Sequence, residues 1–116
     1  MEQAFDISEA EGPGVPVVTV SGEIDVATAP SLRNRLQARV AGGDATIVVD
    51  LVHVSFLDST ALGVLVGALK RCREAGGDLR LVIAEPRILK VFEITGLTEV
   101  FSIHPTVDEA LKASLP

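Results

Sequence analysis

Ser55-Phe56-Leu57-Asp58-Ser59-Thr60-Ala61-Leu62-Gly63-Val64-Leu65 is the stretch on which the fold of this chain turns. Just before it, Thr46 to Val52 reads Thr-Ile-Val-Val-Asp-Leu-Val, too continuously apolar for a half-exposed strand, which predicts a central strand covered on both faces. Just after it, apolar residues recur at helical spacing from about Thr60 to Ala75, and Gly76-Gly77 closes the helix. Hydroxyls therefore fall where a strand hands over to a helix. Such a junction sits exposed at one end of a sheet, with the first-turn N–H groups of the helix free to meet an anion.

Working outward, Val15 to Ser21 alternates like a strand and ends at Gly22, and a weaker segment at Ala4 to Ser8 is placed to pair with it through the Gly12-Pro13-Gly14 turn. Pro30 at a first-turn position, with Leu32, Leu36 and Val40, marks a helix from Thr28 or Ala29 to about Ala41, stopped by Gly42-Gly43. Its Arg33, Arg35 and Arg39 read as a solvated face. Leu79 to Ala84 supplies the next strand, so that strand, helix and strand form a right-handed parallel crossover. Pro86 opens a short helix ending near Gly96, Val100 to Ile103 reads as a last short strand, and Pro105-Thr106 starts a final helix over Val107, Ala110, Leu111 and Leu115. The expectation is one α/β domain spanning residues 1–116, with a mixed β-sheet of four to five strands and about four helices.

Composition narrows the function. A net charge of −6 and the absence of Trp and Tyr argue against nucleic-acid binding, which needs clustered cations and stacking platforms. Cys72 is the only cysteine, so neither a disulfide framework nor a cysteine metal cluster is expected, and its reading is a small core residue. The apolar run Ala61 to Leu69 is far short of the ~20 residues that cross a bilayer, and the acidic N-terminus lacks the basic start of a signal peptide. The expected location is the cytoplasm, with a protein partner or small ligand favoured and no membrane contact.

Asp58, Ser59 and Thr60 are each able to cap the helix, yet capping explains only one of the three. On a helical wheel Leu62, Leu65, Val66 and Leu69 share the side that should pack on the sheet, with Cys72 at its edge. Thr60, Gly63, Gly67, Lys70, Arg71 and Glu74 lie opposite. Each interior glycine costs ~1 kcal/mol against alanine, so Gly63 and Gly67 call for a reason. Either another polypeptide docks against bare backbone there, with Val64 as an apolar contact, or a neighbouring helix of the same domain needs the room. A phosphate on Ser59 would add about −1.5 to −2 charges. Across an interface, each new like-charge or unpaired contact at ~6 Å costs roughly 1–3 kcal/mol, enough to weaken binding ten- to a hundredfold.

At these residues the chain resembles the STAS domain family, and within it the bacterial anti-sigma factor antagonists. The resemblance runs through Val17-Val18-Thr19-Val20-Ser21-Gly22-Glu23-Ile24-Asp25, Ile47-Val48-Val49-Asp50-Leu51, Phe56 to Gly63, Ala75-Gly76-Gly77 and Phe92-Glu93-Ile94-Thr95-Gly96-Leu97. It implies a regulator without catalysis that, unphosphorylated, binds an anti-sigma factor and frees a sigma factor for transcription. It also implies that the anti-sigma factor, an ATP-dependent serine kinase, phosphorylates the serine after the motif aspartate, here Ser59, and that a phosphatase reverses this. By the same alignment Asp25 and Asp58 flank the phosphorylation site and Gly63 is the glycine of the following helix. The family often has a small pair ending in glycine after the serine. This chain has Thr60-Ala61, which makes Thr60 the second-choice acceptor. The partner-binding set is therefore Asp25, Asp58, Ser59, Thr60, Gly63, Val64 and Gly67, with no catalytic residue, metal or cofactor.

Other readings are weaker. An enzyme would use Ser59 as nucleophile, His53 as base and Asp58 or Asp50 as orienter, but no glycine-serine-glycine elbow surrounds Ser59. His53 and His104 are 51 positions apart and give no ligand spacing. A nucleotide-binding regulator lacks the glycine-rich lysine loop. A scaffolding or stress-sensing STAS module without the phosphoswitch is the remaining alternative.

Overall fold

The computed structural model of the chain describes residues 4–113. Strand β1 (Asp6–Glu11) pairs antiparallel with β2 (Pro16–Ile24), in register from Asp6 opposite Ser21 to Glu11 opposite Pro16. The first strand begins two residues later than the alternation suggested, because an edge strand exposed at nearly every position carries little apolar signal. Then follow α1 (Ala29–Ala41), β3 (Ile47–Leu57), α2 (Ser59–Glu74), β4 (Leu79–Val82), α3 (Pro86–Ile94), a 3₁₀ turn (Leu97–Glu99), β5 (Ser102–His104) and α4 (Val107–Ala113). The expected Leu115 of the last helix lies outside the described residues.

The sheet order is β1-β2-β3-β4-β5, with β2 to β5 parallel. Strands that step in one direction through right-handed crossovers put every connecting helix on the same face. Leu32 and Leu36 of α1, Leu65 and Leu69 of α2, and Ile88 and Phe92 of α3 accordingly share one core with Val18, Val20, Val49, Leu51 and Leu81. Among the described residues the other face carries α4 alone, over a small cluster of Val15, Val17, Val48, Val82 and Ala110. Ile47 to Leu51 of the central strand are buried throughout, as their continuous apolar run requires.

Two side chains expected to be merely solvated instead hold the edge strand. Arg35 pairs with Glu9 at 2.6 Å, and Arg39 reaches Glu9 at 2.7 Å and Glu11 at 2.8 Å. The charges of β1 thus clasp α1, and Arg39 holds the Glu9 carboxyl below its usual value. At the far end of α2, a Cβ on Gly77 would collide with the Ala45 carbonyl, so only glycine lets the helix exit pass this close to the start of β3.

Between β2 and β3 the register slips twice. Thr19 lies opposite Asp50 and Ile24 opposite Leu57, so five steps along β2 match seven along β3. The extra residues bulge and bend β3 as it nears α2, and Phe56 turns outward at 47% exposure.

Candidate functional site

Parallel strands β2 and β3 end side by side, and the chain leaves each of them through an aspartate. The backbone N–H of Asp58 donates to the Ile24 carbonyl at 3.2 Å, fastening the start of α2 to the end of β2. The Asp58 carboxylate then accepts from the Ala61 N–H at 3.0 Å, so that of the three possible caps Asp58 is the one used. In the adjacent β2–α1 loop, Asp25 Oδ1 accepts from the N–H groups of Ala27 at 2.9 Å and Thr28 at 3.1 Å. The Thr28 hydroxyl donates to the Glu23 carbonyl at 2.9 Å. Both loops are thereby pinned by their own side chains.

Ser59 and Thr60 occupy the first two positions of α2 and are exposed. Among the described residues neither hydroxyl has a hydrogen-bond partner. With Asp58 already capping the helix, the Ser59 hydroxyl is free for chemistry. The opening turn of α2 favours an added anion through its dipole, while Asp58 opposes one, so the two influences partly offset each other within the domain.

Gly63 has nothing within 4 Å of where its Cβ would be, and Gly67 has only the Arg71 guanidinium, at 3.4 Å. No other helix among the described residues comes within 4 Å of either Cβ position, which removes the internal-packing explanation for both glycines. Val64 requires a correction. It was expected beside the bare strip but is 8% exposed, whereas Val66, assigned to the sheet side, is 38% exposed. The buried arc of α2 runs through Ala61, Val64, Leu65, Ala68, Leu69 and Cys72. It is rotated because α1 packs against α2 and the buried arc includes the small Ala61 and Ala68; a wheel weighted by large apolar residues undervalues alanine.

The structure also adds two apolar residues to the site. Val26, next to Asp25, is 70% exposed, and Phe56 stands two residues before Asp58 on the bulged end of β3. Both stand at the strand ends that carry Asp25 and Asp58, and they give the site exposed apolar surface as well as an uncharged hydroxyl. Neither histidine belongs to it. His53 lies four residues before the end of β3, about 13 Å along the strand. His104 lies on β5, where its Nε2 is 2.9 Å from the Ser102 hydroxyl, and burial together with Arg80 pushes it below the usual imidazole value.

A family model described as the STAS domain matches residues 6–110. The chain belongs to the STAS domain family. This STAS domain is 36% identical over 103 residues to an anti-sigma-B factor antagonist of Listeria monocytogenes, covering 89% of this chain and 90% of that protein. It is 42% identical over 86 residues to the anti-sigma-B factor antagonist of Bacillus subtilis, covering 74% and 78% of the two chains. Its fold superposes at a TM-score of 0.88 on an anti-sigma factor antagonist from Mycobacterium paratuberculosis, 34% identical, with 96% and 94% of the chains aligned. No helix among the described residues of this STAS domain is long and apolar enough to cross a membrane.

Proposed function

We propose that this STAS domain is an anti-sigma factor antagonist controlled by phosphorylation of Ser59. Unphosphorylated, it binds an anti-sigma factor through the patch formed by Ser59, Gly63, Val26 and Phe56, and the sigma factor is released to transcription. The anti-sigma factor, acting as an ATP-dependent serine kinase, transfers the γ-phosphoryl group to the Ser59 hydroxyl, and the resulting anion expels the kinase. A phosphatase removes the phosphate and restores binding. The cycle belongs to the cytoplasm, where ATP and sigma factors are found.

The observation that carries this reading is the division of labour at the start of α2, where Asp58 caps the helix and leaves the Ser59 hydroxyl exposed and unbonded. An acceptor already engaged in capping would have to break the helix start before it could react. Thr60 is also exposed and is the second acceptor, while Ser59 directly follows Asp58 and is the residue that the resemblance aligns with the phosphorylated serine. The relatives named anti-sigma-B factor antagonists, aligned over most of this chain, support the same direction.

Mixing the purified protein with the anti-sigma kinases encoded in its genome and ATP, then mapping phosphate by mass spectrometry, tests the proposal. A single phosphate on Ser59 is expected, with Ser59→Ala still binding the kinase and Ser59→Asp failing to bind. Equal binding by the alanine and aspartate variants would leave a scaffolding module without the switch.

A further inference from the structure

Helix α2 presents more than its first turn. At about 100° per residue, Ser59, Gly63, Val66, Lys70 and Arg73 fall within about 40° of one line along its exposed side, a stripe about 21 Å long. At the end remote from Ser59 this stripe runs into a groove of about 510 Å³ lined by Val66, Leu69, Lys70, Arg73, Glu74 and Val100. The groove is apolar at its base, where Leu69 is buried and Val66 and Val100 stay partly open to solvent.

Charge separates this end of the helix from the rest of a chain that is acidic overall. Arg73 is committed to the fold, donating to the Val100 carbonyl at 3.0 Å and facing Asp78 at 3.5 Å, which holds the two walls of the groove together. Lys70 and Arg71 have no ion-pair partner among the described residues. The Arg71 guanidinium leans over the bare backbone of Gly67 instead. Lys70 thus lines the apolar slot as a cation without an ion-pair partner, with Glu74 the single acidic residue on its rim.

We propose that this groove is a second anchor for the same anti-sigma partner, receiving one apolar side chain flanked by a carboxylate that meets Lys70. The inference rests on the proposed function, since it places the partner on the stripe that begins at Ser59. Gly63 then has a purpose: it keeps the stripe bare between Ser59 and Val66, so that a partner touching Ser59 also reaches the groove. Contact at the hydroxyl decides whether binding occurs, and contact at the groove decides which kinase binds.

The experiment measures the affinity of the kinase for the wild-type chain, Val66→Asp, Lys70→Glu and Ser59→Asp by calorimetric titration at low and high salt. Thermal melting shows that each exposed-site variant is folded. Val66→Asp and Lys70→Glu are each expected to weaken binding about tenfold or more, and the Lys70→Glu deficit to shrink at high salt, as for a charge at an interface rim. Wild-type affinity in both variants, with Ser59→Asp inactive, would overturn the groove and leave the switch standing. Wild-type affinity in Ser59→Asp, or no kinase bound by the wild-type chain, would overturn the switch reading, and the groove would fall with it.

Discussion

Replacing Asp58 by alanine removes the acceptor used by the Ala61 N–H and leaves α2 uncapped, which costs about 1 kcal/mol. Ser59→Ala removes a hydroxyl that bonds nothing among the described residues, and its stability should stay within about 0.5 kcal/mol of wild type. Urea unfolding of the two variants checks this contrast between adjacent residues. Gly63→Ala extends it to function. A Cβ there meets nothing within 4 Å, so alanine should raise stability by about 0.5–1 kcal/mol through helix propensity alone. If the backbone at Gly63 is bare for a partner's sake, the same variant should bind the kinase more weakly, and unfolding and titration on one sample read both effects. A position where folding and binding pull in opposite directions marks an interface more clearly than exposure does.

At the scale of elements, the clasp between β1 and α1 makes the edge strand sensitive to acid. Arg39, with a further contribution from Arg35, holds the Glu9 carboxyl below its unfolded value against the opposing effect of burial. A carboxyl lowered on folding contributes stability above its unfolded pKa of 4.5, and the contribution is lost as pH falls through the folded value. Glu9→Gln should therefore be less stable than wild type at pH 7 by under about 1 kcal/mol, the range of exposed ion pairs, and should converge with it at an acid pH below the folded value. Urea midpoints at both pH values test this. Such cross-element pairing was not legible in the sequence, where Arg35 and Arg39 had no visible partner 26 to 30 residues away on β1. What the sequence carried was the alternation of apolar runs and caps: Pro30, Gly42-Gly43, Pro86 and the Ile47 to Leu51 run each marked a true boundary or core. The bulges on β3 escaped it because they depend on pairing with β2, so the outward turn of Phe56 had no local sign. The exchange of Val64 for Val66 escaped it because α1, distant in sequence, sets which side of α2 is buried.

Across the whole molecule, the decisive question is whether a charge at Ser59 acts on a partner or on the fold. Cys72 answers it, because it lies on the same helix as Ser59 and is buried in the core shared by α1, α2 and the sheet. Burial, with the charge of Asp78 adding to it, pushes its thiol up to about 11, so at neutral pH it is both protonated and shielded. A thiol reagent can then label Cys72 only when the domain opens, and the labelling rate reports the free energy of opening. Ser59→Asp sits on an exposed first turn whose dipole tolerates an anion, and should label at nearly the wild-type rate. Gly77→Ala, which forces a methyl against the Ala45 carbonyl, should label several-fold faster, since each ~1.4 kcal/mol lost raises the open fraction tenfold. Should Ser59→Asp label as fast as Gly77→Ala, the negative charge would be loosening α2 itself, and loss of kinase binding would follow from a softened domain instead of a repelled partner.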